Sequence, residues 1–193
     1  VERGEAQSWT DELIDRLDER VKIVSVPAVH WTNGALIELD RVGHGARAVG
    51  ATFVVDATQS LGAMPLDIAT LRPDYLVAAG YKWLLGPFSV AYLYVDPAHR
   101  SGKPIEENWI PRAGSEDFAR LVDYRDDYLP GARRFDVGQR TNFTLLPMAI
   151  AAIGQLLVWD VARIAATLRE LTARIEREAT KKRRTPQLSS VGG

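Results

Sequence analysis

Two short β-branched runs bracket a segment of helical pattern, and that order limits the fold more than any other feature of the chain. The first run is "VKIVSVPAV" (Val21 to Val29), the second "TFVV" (Thr52 to Val55), and Leu36 to Val49 lies between them. Runs this short and apolar read as buried strands. Two strands joined through a helix cannot close as a tight hairpin, so the pattern predicts a parallel βαβ unit with a right-handed crossover. In the intervening helix Leu36, Leu39 and Val42 share a face, Gly43 and Gly45 weaken the pattern, and Gly50 suits the residue just past the end.

The same reading extends in both directions. "SWTDELIDRLDER" carries Trp9, Leu13, Ile14 and Leu17 at helical spacing, with Ser8 or Thr10 as the cap and acids in the first turn. Tyr75 to Gly80 predicts a third strand and Ser89 to Val95 a fourth. The fourth follows Pro87 too closely for a helical crossover, so it is expected to pair antiparallel. Asp96 to Gly138 is loop-rich, with five of its residues Pro97, Pro104, Pro111, Pro130 and Gly131. Such a long irregular stretch in a compact domain is usually functional. A helical pattern resumes at Leu145 and is expected to break near Trp159-Asp160.

Composition excludes several classes. The 193 residues suffice for one substantial domain, and with 24 Lys and Arg against 25 Asp and Glu there is no global field to recruit nucleic acid or an anionic membrane. The basic run Lys181 to Arg184 reads as a solvated helix end. Cysteine is absent, which removes disulfides, thiolate metal sites and a cysteine nucleophile from this chain. His30, His44 and His99 lack metal-ligand spacing, so no metal site is expected, and His44 and His99 are expected at the surface. No apolar run is long enough to span a membrane, and "VERGEAQSW" is neither a signal nor a transit peptide. The expected compartment is cytoplasmic.

In an α/β sheet, ligands bind beyond the carboxyl ends of the strands. Three polar features fall there: "HWTNG" (His30 to Gly34), Asp56 to Gln59, and Lys82 within "VAAGYKWLLGP". A carboxylate directly after a buried strand and a lysine among apolar residues both need a reason. One reason is an Asp56–Lys82 ion pair joining two strand ends. The other is a shared ligand: an amine in an apolar surround can form a Schiff base, and a nearby acid can keep a ring nitrogen protonated. Those are the two protein groups that pyridoxal phosphate requires.

"VVDATQS" followed by "AAGYKWLLGP" resembles the class V aminotransferase family of fold-type I pyridoxal-phosphate enzymes, which includes cysteine desulfurases, kynureninases, epimerases and transaminases. "HWTNG" resembles the family's His-x-Ser-Asn loop, and "ARRFDVGQRTNF" its Arg-Phe-Glu-x-Gly segment. The resemblance covers about Lys22 to Ile175. It implies a three-layer α/β sandwich with a mainly parallel sheet, an incomplete large domain of the aspartate aminotransferase-like type. Residues 1–145 would belong to that domain, 146–180 to helices leading toward a small C-terminal domain, and 181–193 to a tail. It implies that Lys82 holds pyridoxal 5'-phosphate and shuttles the substrate α-proton, that Asp56 pairs with the ring nitrogen, and that Gln59 donates to the phenolic oxygen. Asn33 would lie beside that oxygen or the substrate carboxylate, and Tyr81 would reach the phosphate. His30, Trp109 and Arg112 are candidates for the substrate side, with surface pairing the default for Arg133, Arg134 and Arg140.

The family reading also implies an amino-acid substrate and a homodimer, and that the chain is the central part of a longer protein. Two departures stand out. The family's Ser-x-His-Lys is Ala79-Gly80-Tyr81-Lys82 here, which removes a serine hydroxyl and places tyrosine as in the kynureninase-like branch. The family's Gly-Thr is Gly138-Gln139-Arg140-Thr141. The reaction expected is transamination, with elimination, desulfuration or epimerisation as alternatives. A non-catalytic binding relative is a further alternative. A receiver-type signalling domain also places an aspartate and a lysine at strand ends, but it follows that lysine with proline, where this chain has Trp83.

Overall fold

Chain order in the computed structural model, which describes residues 8–184 apart from 121, 124 and 139–141, follows the strand–helix–strand pattern. Helix α1 (Trp9–Ile14) leads into β1 (Ile23–Pro27), α2 (Leu39–Ala48), β2 (Thr52–Asp56), α3 (Ile68–Leu71), β3 (Tyr75–Ala79) and β4 (Ala91–Val95). Three 3-10 turns then punctuate the long loop, before α4 (Leu145–Trp159) and α5 (Val161–Arg184). The four strands form one sheet in the order β1-β2-β3-β4, with the first two pairings parallel and β3-β4 antiparallel. Both the parallel unit and the antiparallel fourth strand agree with the sequence. The one-turn helix α3 carries too few residues to show a period, and the sequence pattern does not reveal it.

Local chemistry sets the helix ends. The Ser8 hydroxyl oxygen accepts from the Asp11 amide at 3.1 Å, capping α1, with Asp11 and Glu12 in its first turn. Helix α2 is capped at Val49, and Gly50 follows with φ of +71°, a left-handed residue where glycine costs least. The α4–α5 break falls at Asp160, whose carboxylate accepts from the Ala162 amide at 2.9 Å and so caps α5. Helix α5 runs on to Arg184, so the basic run Lys181 to Arg184 is a helix end, as its sequence suggests.

The core lies on one face of the sheet. Val24, Val26, Phe53, Val55, Leu76 and Ala78 alternate along the three parallel strands and pack with Val42 and Ala46 of α2, Leu71 of α3 and Leu156 of α4. Phe53 is fully buried. On the other face Ile23 is 64% exposed, Val77 37% and Leu93 41%. The described residues thus supply two layers of the expected three-layer sandwich. Far from the strand exits, Asp74 ties the base of the sheet together. Its carboxylate accepts from the Phe53 amide at 2.6 Å and lies 2.7 Å from His99 Nε2. That pairing explains why His99 is half-buried rather than at the surface as the sequence suggested; His44 is exposed. No single helix among the described residues is long and apolar enough to cross a membrane.

Candidate cofactor site

The register brings three strand exits to one edge. Pro27 of β1 lies opposite Asp56 of β2, and Asp56 opposite Val77 of β3, so β3 extends two residues beyond β2 before it ends at Ala79. The chain then turns sharply. The Gly80 amide donates to Val90 O, the Gly86 amide to Gly80 O, both at 2.7 Å, and the Leu85 amide to Lys82 O at 3.0 Å, with Leu85 itself at φ of +57°. This closed turn presents Tyr81 and Lys82 beside the loop that follows Asp56.

That loop is tied to the lysine turn at two points. The Ala79 amide donates to Thr58 Oγ1 at 3.0 Å. Gly62, at φ of +97°, approaches so closely that a Cβ there would lie 2.4 Å from the Trp83 carbonyl oxygen. Glycine is the one residue that meets both the dihedral and the space. Neither Thr58 nor Gly62 was singled out from the sequence. A glycine six residues after a strand-end acid says nothing by itself about which backbone approaches it.

Asp56 is exposed, and one carboxylate oxygen accepts from the Thr58 amide at 2.9 Å. Lys82 is half-buried, with Nζ 6.0 Å from the centroid of the Tyr81 ring. Asp56 and Lys82 form no ion pair with each other, so the bland explanation for their presence is not realised, and neither is the burial expected of the carboxylate. Gln59 is half-buried one residue past Thr58. Tyr81 stacks on Phe88 at 4.5 Å between ring centroids.

At the β1 exit the "HWTNG" loop is held by its own side chains. Asn33 Oδ1 accepts from the Ala35 amide at 3.0 Å, and His30 Nδ1 lies 2.8 Å from Thr32 Oγ1. The His30 ring stacks on Trp9 at 4.9 Å and 13° between planes, which fits a strand-end structural residue. Trp109 and Arg112 lie elsewhere. With Glu107, Arg120, Asp123 and Arg125 they line a cleft of about 490 Å³ in the long loop, and none of Asp56, Gln59, Tyr81 and Lys82 lines it. Arg112 donates to Asp126 O and sits 4.1 Å over the Tyr128 ring, bracing its own loop. Trp109 meets Phe118 edge-on at 6.1 Å. The Lys103 ammonium hydrogen-bonds Glu107 and holds its carboxyl below the usual range. Arg134 donates to Leu129 O and Gly102 O, again a brace. Arg140 and Thr141 lie outside the described residues.

With this geometry in place, comparison with known proteins is decisive. The model of the aminotransferase class-V family matches residues 1–108. The chain belongs to the class-V aminotransferase family. The kynureninase of Deinococcus radiodurans is 29% identical over 150 residues, covering 76% of this chain and 36% of that protein. The cysteine desulfurase CsdA of Escherichia coli shares the fold with a TM-score of 0.74 at 19% identity, over 90% of this chain and 42% of that one. A variant of the cystine C-S lyase C-DES, with glycine covalently linked to its PLP cofactor, superposes with a TM-score of 0.59 at 21% identity, over 84% and 39% of the two chains. The curated relatives are matched over 19% to 38% of their own lengths, so this class-V chain spans well under half of each.

Class V is a family of pyridoxal-phosphate enzymes, and the donor set at the strand exits fits that group. A half-buried amine without a carboxylate partner is available to an aldehyde, and an exposed carboxylate with one backbone donor has capacity for a ring N–H. The Tyr81 hydroxyl and the Gln59 amide add donors at the same edge, while Ala79 supplies none.

Proposed function

We propose that the protein is a pyridoxal 5'-phosphate-dependent enzyme that acts on an amino acid, and that its reaction is transamination. One observation carries this reading: Lys82 and Asp56 leave adjacent parallel strands at the same edge without pairing to each other. An acid and an amine left unpaired at a ligand-binding edge are free to engage a third party that uses both.

Bound there, the cofactor supplies an electron sink for charge that develops at the substrate α-carbon. Lys82 would hold the cofactor through its amine and would move the substrate α-proton. The Asp56 carboxylate holds a proton on the ring nitrogen. Gln59 would donate to the phenolic oxygen, Tyr81 would reach the phosphate, and Asn33 would lie beside that oxygen or the substrate carboxylate. His30, stacked on Trp9, and Trp109 and Arg112, which line a separate cleft in the long loop, are given no substrate role. A second copy of the chain is the proposed partner. It would cover helix α4, which leaves Leu146, Ile150, Leu157 and Val158 more than half exposed although its sequence is apolar on every side.

A lyase reaction is the second reading. It is favoured by the kynureninase match over three quarters of the chain and by Tyr81, rather than histidine, before the lysine. The test is titration of the protein with pyridoxal phosphate, read by visible absorbance. Wild type gains a band, and Lys82→Ala does not. Asp56→Asn keeps the band and loses turnover about 10²–10³-fold, the range for one preorganised electrostatic contact. Amino transfer to a 2-oxo acid supports transamination, whereas turnover without any acceptor supports the lyase. A wild type that gains no band refutes the proposal.

A further inference from the structure

We propose that Thr58 is a positioning residue that couples Asp56 to Lys82; this rests on the cofactor reading above. Thr58 touches both sides of the site through different atoms. Its amide donates to Asp56 Oδ1 at 2.9 Å, and its hydroxyl oxygen accepts from the Ala79 amide at 3.0 Å. Ala79 is the last residue of β3, and Gly80-Tyr81-Lys82 follow without interruption.

The need for this contact follows from the register. The β2–β3 ladder closes at Asp56 and Val77, with the Ala57 amide donating to Val77 O at 2.8 Å. Strand β2 ends there, while β3 continues two residues further. No β2 backbone carbonyl is left opposite the Ala79 amide, and a partly buried N–H needs an acceptor. The Thr58 side chain supplies it in place of a strand. Thr58 therefore joins the acid directly to the end of the strand that leads to the amine, beside the Gly62–Trp83 approach. Asp-x-x-Gln arithmetic on the sequence would not find this, because position 58 matters through a hydroxyl aimed across the sheet rather than along its own loop.

The variants Thr58→Val and Thr58→Ser separate the hydroxyl from the shape. Valine keeps the branched volume and removes the acceptor; serine keeps the acceptor. Three quantities are read: exchange of the Ala79 amide without cofactor, the dissociation constant for pyridoxal phosphate, and the pH midpoint of its visible band. In Thr58→Val the Ala79 amide exchanges about fivefold faster or more, the factor one net hydrogen bond carries. Cofactor binding weakens by a similar factor and the pH midpoint moves, because the Thr58 amide still holds Asp56 while the segment leading to Lys82 is no longer fixed relative to it. Thr58→Ser restores all three. A residue that only stabilises the fold would change the melting temperature and leave the pH midpoint where it was. A wild-type band with an unmoved midpoint in Thr58→Val overturns the inference alone. Absence of any band in wild type overturns the cofactor reading and this inference with it.

Discussion

Replacing Gly62 by alanine tests how the lysine turn is built. At φ of +97° an L-residue is strained, at a cost of about 1–3 kcal/mol. The added Cβ would also lie 2.4 Å from the oxygen and 2.8 Å from the carbon of the Trp83 carbonyl, and 3.4 Å from a methyl of Leu84. The first two obstacles are backbone, so no rotamer change relieves them and the segment next to Lys82 must shift. Overpacking of this kind costs about 1–3 kcal/mol. Together the two effects amount to about 2–6 kcal/mol, or a fall of roughly 4–24 °C in Tm for a domain of this size. Gly34→Ala is the control: its φ is +70° and nothing lies within 4 Å, so it suffers the dihedral cost alone. Thermal melts of both variants, followed by pyridoxal phosphate titration at a temperature where both are folded, give the comparison. Gly62→Ala should melt well below Gly34→Ala and bind the cofactor more weakly. Equal melting temperatures and equal binding would refute the claimed approach of the two loops.

Three further outcomes follow from the rest of the fold. Gly154→Ala, inside α4 with no atom within 4 Å of the new Cβ, should raise stability by about 1 kcal/mol in urea denaturation, the helix-propensity difference between the two residues. Asp74→Ala leaves the Phe53 amide without its acceptor and frees His99, so it should cost about 1–3 kcal/mol in the same assay. The Thr70 hydroxyl, followed by the Ala69 amide, holds the Asp67 carboxyl below its ordinary 3.8. The folded value being the lower one, this contribution is present above the unfolded value and is lost as pH falls through the folded one. The Tm deficit of Asp67→Ala should therefore be full at neutral pH and shrink as the pH falls below 3.8.

Strand order and strand direction were legible in the chain because each strand is a short apolar run and the connection lengths decide which pairings are possible. The helix break at Asp160 was legible for a similar reason, since the apolar period lapses there. The exposed face of the sheet was not. Ile23, Val77 and Leu93 read as buried strand residues, and one sequence cannot show which layer covers a face. At the site, polar residues at strand exits were legible individually: Asn33, Asp56, Gln59, Tyr81 and Lys82 all follow apolar runs. What joins them was not, because it consists of contacts across the sheet. Thr58 acts through a hydrogen bond 21 residues away in sequence, and Gly62 through a backbone approach of similar separation. Trp109 and Arg112 show the converse. Their residue types suggest a substrate contact, while the geometry ties Arg112 to Asp126 and Tyr128 within the loop.

The central claim is that Lys82 is the amine that takes the cofactor, and chemical trapping tests it most directly. Pyridoxal phosphate is added to the protein, the adduct is reduced with borohydride, and the modified lysine is located by peptide mass spectrometry. The account predicts stoichiometric label on the peptide carrying Lys82, and no preference for that peptide over the other lysines when the protein is denatured before the cofactor is added. Label spread over surface lysines such as Lys22, Lys103 and Lys181, with Lys82 unmodified, would contradict it.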